Sequence, residues 1–331
     1  MIWLIGNKGM LGYEVEKLLQ EENLKYWASD REVDITDYQR LEEFGKNKNV
    51  EWVINCSGYT QVDKAEEEIG EAFRINQQGV RNIALFCQKR RERQTKLIHI
   101  STDYVFDGQK EKEMDDSYKG DKRYEENKGY KEEDQPNPLN IYGKSKLAGE
   151  EEIKNLLNTY FIIRTAWLYG KNGSNFVYTM LRLFKEKEMV RVVDDQWGSP
   201  TYAKDLARVL IKIVKSENKS EGEGESEGER GNGAKPCRYG IYHFTNEGVT
   251  SWYEFARTIY REAKRLGLIK ENKKVEIQPI KTEEYPTPAR RPRYSVLSKE
   301  KIKKELNIKI PYWKESLEKC LKGILDEGYR I

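Results

Sequence analysis

The residues best suited to chemistry are a tyrosine and a lysine four positions apart, Tyr142 and Lys146. If this segment is helical, both side chains lie on one face, with the ammonium beside the phenol. A phenol with an ordinary pKa of about 10 exchanges protons poorly at neutral pH. We therefore expect the ammonium to lower the pKa of Tyr142 toward the working range and to make it an acid–base group. The spacing alone also arises often by chance.

Thr102 is the third candidate for chemistry, because it ends an apolar segment that is typical of a buried strand, Leu97–Ile100. A hydroxyl at the carboxyl end of a parallel strand points into the crevice where ligands bind. We expect Thr102 to form a hydrogen bond to a reacting carbonyl. The alternative is a β-branched residue that only finishes a strand.

Gly6, Gly9 and Gly12 have the spacing G-x-x-G-x-x-G between a short apolar run, Ile2–Ile5, and a helical pattern. Glycines at a strand-to-helix turn let the backbone approach a pyrophosphate, whose charge then lies at the start of a helix. The pattern therefore predicts a dinucleotide site. A tight turn without a ligand is the alternative.

The end of the second strand should contact the adenosine ribose, and its residues give conflicting signals. Asp30 could accept hydrogen bonds from both ribose hydroxyls, whereas Arg31 could bind a 2′-phosphate. Lys8 would add to the attraction for phosphate, so we favour NADPH and leave NADH open. Arg31 could also be a simple surface charge. Asp34 and Ile35 are predicted to lie at the adenine edge.

Elements that could position these residues alternate between short apolar strands and amphipathic helices, which is typical of a parallel sheet covered on both faces. The predicted strands are Ile2–Ile5, Val53–Asn55, Leu97–Ile100 and Phe161–Ile163, and the helices are Gly70–Arg91, Lys144–Leu157, Tyr202–Val214 and Ser251–Leu266. The fold class is therefore α/β: a Rossmann-type doubly wound parallel sheet with a smaller mixed α/β C-terminal domain. We predict an NAD(P)-binding domain over 1–165 and a substrate domain over 166–331, with some later segments returning to the first.

Two polar segments interrupt this pattern, Gln109–Asp134 and Ser216–Pro236. They contain too few large apolar residues to offset their ordering entropy, so both are predicted to be solvated loops. The first could instead form a lid over the site.

Composition excludes several classes of function. A formal charge of +3 from 59 basic and 56 acidic residues gives no reason to expect nucleic acid as a partner. The sequence has no apolar run of about 18 residues and no signal-peptide pattern at its start, so no membrane association is expected. Its four cysteines are widely separated, which disfavours a structural zinc site and favours a reducing, cytoplasmic location.

Longer motifs add a family resemblance that extends over almost the whole chain. They include Asn55–Glu66, Ser101–Gly108, Pro138–Glu150, Asp194–Thr201 and Tyr285–Pro292. Together with the glycine turn, they resemble the extended short-chain dehydrogenase/reductase family and, within it, the dTDP-4-dehydrorhamnose reductase branch. The resemblance implies hydride transfer from NAD(P)H to the 4-keto group of dTDP-4-dehydro-6-deoxy-L-mannose, which yields dTDP-L-rhamnose for cell-surface polysaccharides. It also implies that Tyr142 donates the proton, Lys146 assists it and Thr102 holds the sugar oxygen.

The same resemblance implies two sets of binding residues. The cofactor contacts map onto Gly6, Gly9, Met10, Leu11, Gly12, Asp30, Arg31, Asp34, Ile35, Ser57, Gly58, Tyr59, Asn76, Ser101, Tyr142 and Lys146. The substrate contacts map onto Thr60, Val62, Asp103, Tyr104, Trp167, Asn175, Gln196 and Arg291.

Three further questions stay open at this level. Some relatives dimerise through Mg²⁺ held by carboxylates, and Glu14 occupies a comparable position, so the chain could be a monomer or a homodimer. The nearest alternative function is a nucleotide-sugar epimerase or dehydratase. The dehydratases have a glutamate at the position of Tyr104, so the resemblance favours reduction over elimination. A non-catalytic NADP-binding subunit, like the regulatory subunit of methionine adenosyltransferase, is the rival from another class.

Overall fold

The computed structural model describes residues 1–90, 95–110, 129–222 and 237–328. Its strands are β1 Ile2–Ile5, β2 Tyr26–Ser29, β3 Trp52–Asn55, β4 Lys96–Thr102, β5 Tyr160–Thr165, β6 Leu168–Tyr169, β7 Met189–Val193, β8 Trp197–Gly198, β9 Thr201–Tyr202, β10 Gly240–His243, β11 Thr250–Ser251 and β12 Glu276–Ile280. Six of them form one parallel sheet in the order β10-β5-β4-β3-β1-β2.

The sheet is buried on both faces, and β1 shows how the sequence achieves this. All four of its residues are buried. Ile2 and Leu4 join the core on one face, whereas Trp3 and Ile5 join the core on the other. A strand with apolar residues at every position fits only between two covering layers. The predicted doubly wound α/β fold is confirmed.

Helices cover both faces and also build a second layer of structure. They are α1 Met10–Glu21, α2 Tyr38–Gly45, α3 Ile69–Phe73, α4 Val80–Lys89, α5 Ile141–Leu156, α6 Phe176–Glu186, α7 Ala203–Gly222, α8 Trp252–Arg265, α9 Glu300–Leu306 and α10 Trp313–Asp326. The predicted helix over Gly70–Arg91 is interrupted, because a π-helical turn at Arg74–Gly79 joins α3 to α4. Such turns often occur at functional sites.

A second apolar core lies outside the sheet, where α6, α8 and α10 pack together with β7. The sheet itself receives segments from both halves of the sequence. β10 pairs with β5, and α7 packs beside α1. The predicted domain boundary at residue 165 stays a prediction. Segments beyond it, among them β10, α7 and α9, contribute to the core that packs on the sheet.

Both predicted loops are partly wrong. The helix α7 continues through residues 216–222, because this stretch contains no proline and its first glycine is Gly222. Its low content of apolar residues therefore did not prevent a helix. The remainder of that loop, 223–236, lies outside the described residues.

The end of the other loop also belongs to the packed fold. Tyr130 is buried and stacks on Phe106 with their ring centroids 4.2 Å apart. The backbone of Tyr130 also bridges to Leu297. Residues 111–128 lie outside the described part, so a lid formed by them stays a prediction. Among the helices that the structure describes, none is both long and apolar enough to cross a membrane.

Candidate active site

The glycine turn lies at the point where the strand order reverses, between β1 and β3. Gly6 has a φ of +80°, and a Cβ atom there would lie 2.8 Å from the Ser57 backbone nitrogen. A Cβ atom at Gly12 would lie 2.0 Å from the Gly6 carbonyl oxygen. Only glycine fits either position. The turn therefore brings bare backbone and the start of α1 to the crevice, which fits a pyrophosphate.

Residues around this turn divide between the core and the crevice. Leu11 is buried in the core that α1 shares with the sheet, whereas Met10 is half-buried and faces Gly170. Gly58 is exposed and Ser57 half-buried just after β3. Tyr59 is buried, and its hydroxyl donates to Glu68 at 2.8 Å.

The predicted ribose contacts follow β2. Arg31 is exposed, and the backbone of Asp30 donates to Glu32 at 2.8 Å. Lys8 lies 3.6 Å from the same glutamate, with both side chains more than half exposed. The side chains of Lys8 and Arg31 are therefore accessible to a 2′-phosphate beside the glycine turn.

Asp34 and Ile35 behave differently from each other. Asp34 is exposed and accepts hydrogen bonds from the Thr36 backbone and hydroxyl, which help to lower its pKa although burial opposes them. Ile35 is buried and packs against Gly79 in the π-helical turn.

The helix α5 carries the Tyr–Lys pair and begins three residues earlier than predicted, because Asn140 caps it. The Asn140 side chain accepts from the Gly143 backbone at 2.8 Å and donates to the Arg290 carbonyl at 2.7 Å. A Cβ atom at Gly143 would lie 2.2 Å from the Tyr104 carbonyl oxygen. This close approach presses the start of α5 against the end of β4, which brings Tyr142 to Thr102.

The Thr102 side chain lies beside the Tyr142 phenol. Burial raises the pKa of Tyr142 to about 12, the interaction with Thr102 opposes this, and Asp103 raises the pKa further. The expectation that the pKa of this phenol is lowered is therefore wrong. The reason is that burial outweighs the other influences and that Lys146 donates its proton elsewhere.

Lys146 is buried, and its ammonium donates to the Ile100 carbonyl oxygen at 2.5 Å. Its Nζ also lies 3.4 Å from His99 Nε2. Burial lowers the pKa of Lys146 to about 8, although Glu150 and Cys56 oppose the shift. The lysine is thus fixed on the end of β4, one turn of α5 away from Tyr142.

Asp103 directly follows Thr102 and is almost completely buried. Thr102 Oγ1 donates to Asp103 Oδ1 at 3.1 Å, and Ser295 also interacts with this carboxyl. Burial raises the pKa of Asp103 to about 7, although these interactions oppose the shift. A substantial fraction of this group is therefore neutral at physiological pH.

Two residues predicted to contact the cofactor have side chains that bond within the protein. Asn76, in the π-helical turn, accepts from the Tyr59 backbone at 2.9 Å and donates to Ser145 Oγ at 3.0 Å. Ser101, near the carboxyl end of β4, donates to Glu150 at 2.5 Å. The structure gives both side chains a positioning role, because their polar atoms hold neighbouring elements.

The predicted substrate residue Asn175 is likewise a helix cap. Its side-chain oxygen accepts from the backbone of Val177 and Tyr178, and its amide donates to the carbonyls of Gly170 and Gly173. These hydrogen bonds engage both the oxygen and the nitrogen of the Asn175 side chain at the start of α6. The geometry therefore supports a structural role for Asn175 and not a direct contact with substrate.

Other predicted substrate residues follow β3 and β4, on the side of the sheet where the Tyr–Lys pair lies, and their contact with substrate stays a prediction. Thr60 is exposed and Val62 half-buried after β3, and the Tyr104 ring lies edge-on to Tyr142 with centroids 6.1 Å apart. Arg291 forms a hydrogen bond to Tyr104 and a bidentate ion pair with Asp63, at 2.6 and 2.9 Å. Arg291 therefore connects its own loop to the segment after β3, and much of its guanidinium is engaged in the ion pair with Asp63.

Trp167 and Gln196, also predicted to contact the substrate, lie in a different part of the fold. Trp167 stacks on Trp252 with centroids 3.6 Å apart, and its backbone has a φ of +47°. A Cβ atom at Gly198 would lie 2.7 Å from the Trp167 indole. Gln196 is buried and donates to Thr282 at 3.2 Å. The two stacked indoles offer a flat apolar face.

Glu14, considered above for a shared metal, is not displayed at a surface. Its side chain is 1% exposed, and burial raises its pKa although Lys171, Lys204 and Lys17 oppose the shift. Within the described ranges, no group of three or more His, Cys, Asp and Glu side chains is placed to hold a metal ion. A metal shared between two copies stays a prediction.

Four residues that contribute to the site were not assigned from the sequence: Asn55, Asp63, His99 and Asn140. Asn140 directly precedes the observed start of α5, and asparagine before a helical pattern is a recognisable cap signal. Asp63 pairs with a residue 228 positions away, and no local pattern predicts that. Asn55 and His99 lie within apolar strands, where a buried polar residue should itself have been a signal.

Comparisons with known proteins agree with this geometry. The sequence model of a family described as the RmlD substrate binding domain matches residues 1–325. The chain is 37% identical over 317 residues to a dTDP-4-dehydrorhamnose reductase of Aggregatibacter actinomycetemcomitans, covering 95% of this chain and 96% of that protein. It is 32% identical over 318 residues to a dTDP-4-keto-6-deoxy-D-glucose reductase of Streptomyces niveus, covering 95% and 94%.

A solved structure is similar to the same extent. The crystal structure of dTDP-4-dehydrorhamnose reductase from Bacillus anthracis in complex with NADP superposes with a TM-score of 0.79 and 37% identity. The match covers 97% of this chain and 98% of that chain.

Proposed function

We propose that this chain, which belongs to the RmlD substrate binding domain family, is an NADPH-dependent oxidoreductase that reduces dTDP-4-dehydro-6-deoxy-L-mannose at its 4-keto group to give dTDP-L-rhamnose. Membership of the family confirms the resemblance seen in the motifs. A cytoplasmic location and a monomeric or homodimeric state stay predictions.

The observation that carries this proposal is the contact between the Tyr142 and Thr102 side chains, at the carboxyl end of β4 and in the same fold as the glycine turn. A ketone reductase needs a proton donor at the carbonyl oxygen and a binding site for the hydride donor. The sheet topology supplies both along one edge, because the carboxyl ends of parallel strands meet there.

The residues then divide the work. NADPH, when bound on the glycine turn, supplies the hydride that reduces the carbonyl carbon. Because the pKa of Tyr142 is about 12, its phenol is protonated at neutral pH and can give that proton to the developing alkoxide. Thr102 lies beside the phenol, where it can hold the same oxygen. Lys146, fixed on Ile100, is placed by resemblance at the nicotinamide ribose.

Tyr104 favours reduction over elimination. Its phenol occupies the place that a glutamate holds in the dehydratases, and burial raises its pKa above the ordinary value. A neutral phenol bonded to Arg291 cannot act as the carboxylate base that elimination needs. The relative that reduces dTDP-4-keto-6-deoxy-D-glucose leaves a second nucleotide ketosugar as the alternative substrate.

The test is to supply NADPH with dTDP-4-keto-6-deoxy sugars made in situ and to follow the absorbance of the reduced nicotinamide. We expect oxidation of NADPH that depends on the L-configured ketosugar, and dTDP-L-rhamnose as the product by mass and NMR. A protein that binds NADPH but oxidises it with none of these sugars would instead support the regulatory-subunit alternative.

Replacing Arg31 with alanine should reduce the preference for NADPH over NADH. The exposure of the Arg31 guanidinium supports a contact with the 2′-phosphate, and one charge-assisted contact is worth about tenfold in kcat/KM. The comparison of kcat/KM for the two cofactors measures this, with Arg40→Ala, an exposed arginine on α2, as the control. An unchanged ratio would show that the 2′-phosphate is bound elsewhere.

A further inference from the structure

A chain of buried polar groups lies behind Lys146 and has no part in the mechanism above. It begins at the Ser57 backbone nitrogen, passes through the side chains of Asn55 and His99, and ends at Lys146 Nζ. Asn55 and His99 are both fully buried, on the adjacent strands β3 and β4. Their hydrogen atoms can be assigned from the partners alone.

The assignment starts at Ser57, whose backbone N–H can only donate. It donates to Asn55 Oδ1 at 3.0 Å, and the Ser57 hydroxyl donates to the same oxygen at 2.5 Å. The orientation of the Asn55 amide is thereby fixed. Its Nδ2 lies 3.0 Å from His99 Nδ1 and can only donate, so Nδ1 must be the acceptor of a neutral ring.

The proton of His99 must then be on Nε2, which lies 3.4 Å from Lys146 Nζ. An ammonium has no lone pair, so an N–H group directed at it is repulsive, whereas a neutral amine can accept that N–H. The ring is kept neutral because burial and the charge of Lys146 both hold the pKa of His99 well below its usual range.

We propose that His99, locked by Asn55 in the Nε2–H tautomer, is a positioning residue that disfavours the charged form of Lys146. The Ile100 carbonyl bonds to either form of the lysine, whereas the His99 N–H favours the neutral amine.

The other groups that face Lys146 act in the opposite direction or are neutral. Glu150 on the same helix and Cys56 at the end of β3 favour the ammonium. Tyr142 is protonated at neutral pH. Burial nonetheless lowers the pKa of Lys146 to about 8, and the His99 N–H adds to that direction. If the proposed function is correct, activity should fall at alkaline pH as Lys146 loses its proton. His99 would help to set the pH at which this fall occurs.

The first test does not require activity. The chain has only two histidines, so long-range ¹H–¹⁵N NMR of the ¹⁵N-histidine-labelled protein gives two resolvable rings, and His243→Gln assigns them. His243 Nδ1 lies 3.0 Å from the Tyr130 carbonyl, which can only accept, so that ring must carry its proton on Nδ1. We expect opposite neutral tautomers, with Nε2–H at His99. A proton on His99 Nδ1, or a ring that titrates near pH 6.5, would overturn the proposal.

The second test is kinetic and uses His99→Gln. A glutamine can turn its oxygen to Lys146 and accept a hydrogen bond from the ammonium, so the charged form should gain stability. We expect the alkaline limb of kcat/KM for NADPH oxidation to move upward by about one pH unit. The matched control His243→Gln, in the network of Arg164, should leave the limb unchanged.

The outcomes separate the two proposals. A limb that stays in place in His99→Gln, or that moves equally in His243→Gln, would contradict the role of His99. If the wild type oxidises NADPH with no ketosugar, the proposed function fails, and the NMR measurement still decides the tautomer.

Discussion

Replacing Tyr142 with phenylalanine is expected to lower the rate of NADPH oxidation by about 100- to 10 000-fold, the range that a positioned general acid contributes. The ring and its edge-on contact with Tyr104 remain, so only the hydroxyl is lost. Cofactor binding should persist, because the glycine turn is built from other residues. Stopped-flow absorbance for the rate and NADPH fluorescence for the dissociation constant measure the two effects separately.

The matched control for this variant is Tyr160→Phe. Tyr160 begins β5 and is half-buried in the core on one face of the sheet, beside Lys154. It should leave the rate within about twofold, because surface and half-buried hydroxyls contribute little. A Tyr142→Phe protein that retained a tenth or more of the wild-type rate would show that another group, with Asp103 the nearest buried acid, delivers the proton.

Replacing Glu150 with glutamine should lower the free energy of unfolding by about 3–5 kcal/mol. Glu150 and Arg164 are 1% and 2% exposed and form a bidentate pair at 2.7 and 3.0 Å. Glutamine keeps the shape but leaves the guanidinium of Arg164 buried without its counter-charge. Unfolding in urea, with the slope compared to exclude a change in the denatured state, measures the loss.

Glu151→Gln is the control on the same helix. Its ion pair with Lys154 is exposed, at 50% and 39%, so its loss should change the free energy of unfolding by less than about 0.5 kcal/mol. Equal destabilisation of the two variants would show that helix propensity, and not the buried pair, accounts for the effect.

Much of the site could be predicted from sequence because its signals are local. The spacing of Tyr142 and Lys146 follows from the helical repeat, and the glycine turn is a short motif between two short elements. Strands such as β1 were recognisable from apolar residues at every position. The start of α5 could also have been read from Asn140, a cap signal that was present in the sequence.

The sequence by itself thus determined the fold class, the glycine turn and the helical spacing of Tyr142 and Lys146, because neighbours along the chain define each of them. Only the tertiary structure decided what surrounds these groups. The partner of Lys146 is a backbone carbonyl and a histidine on β4, and Arg291 finds Asp63 228 positions away. Burial set the directions of the pKa shifts of Tyr142 and Lys146, because it depends on how many distant segments close over a group.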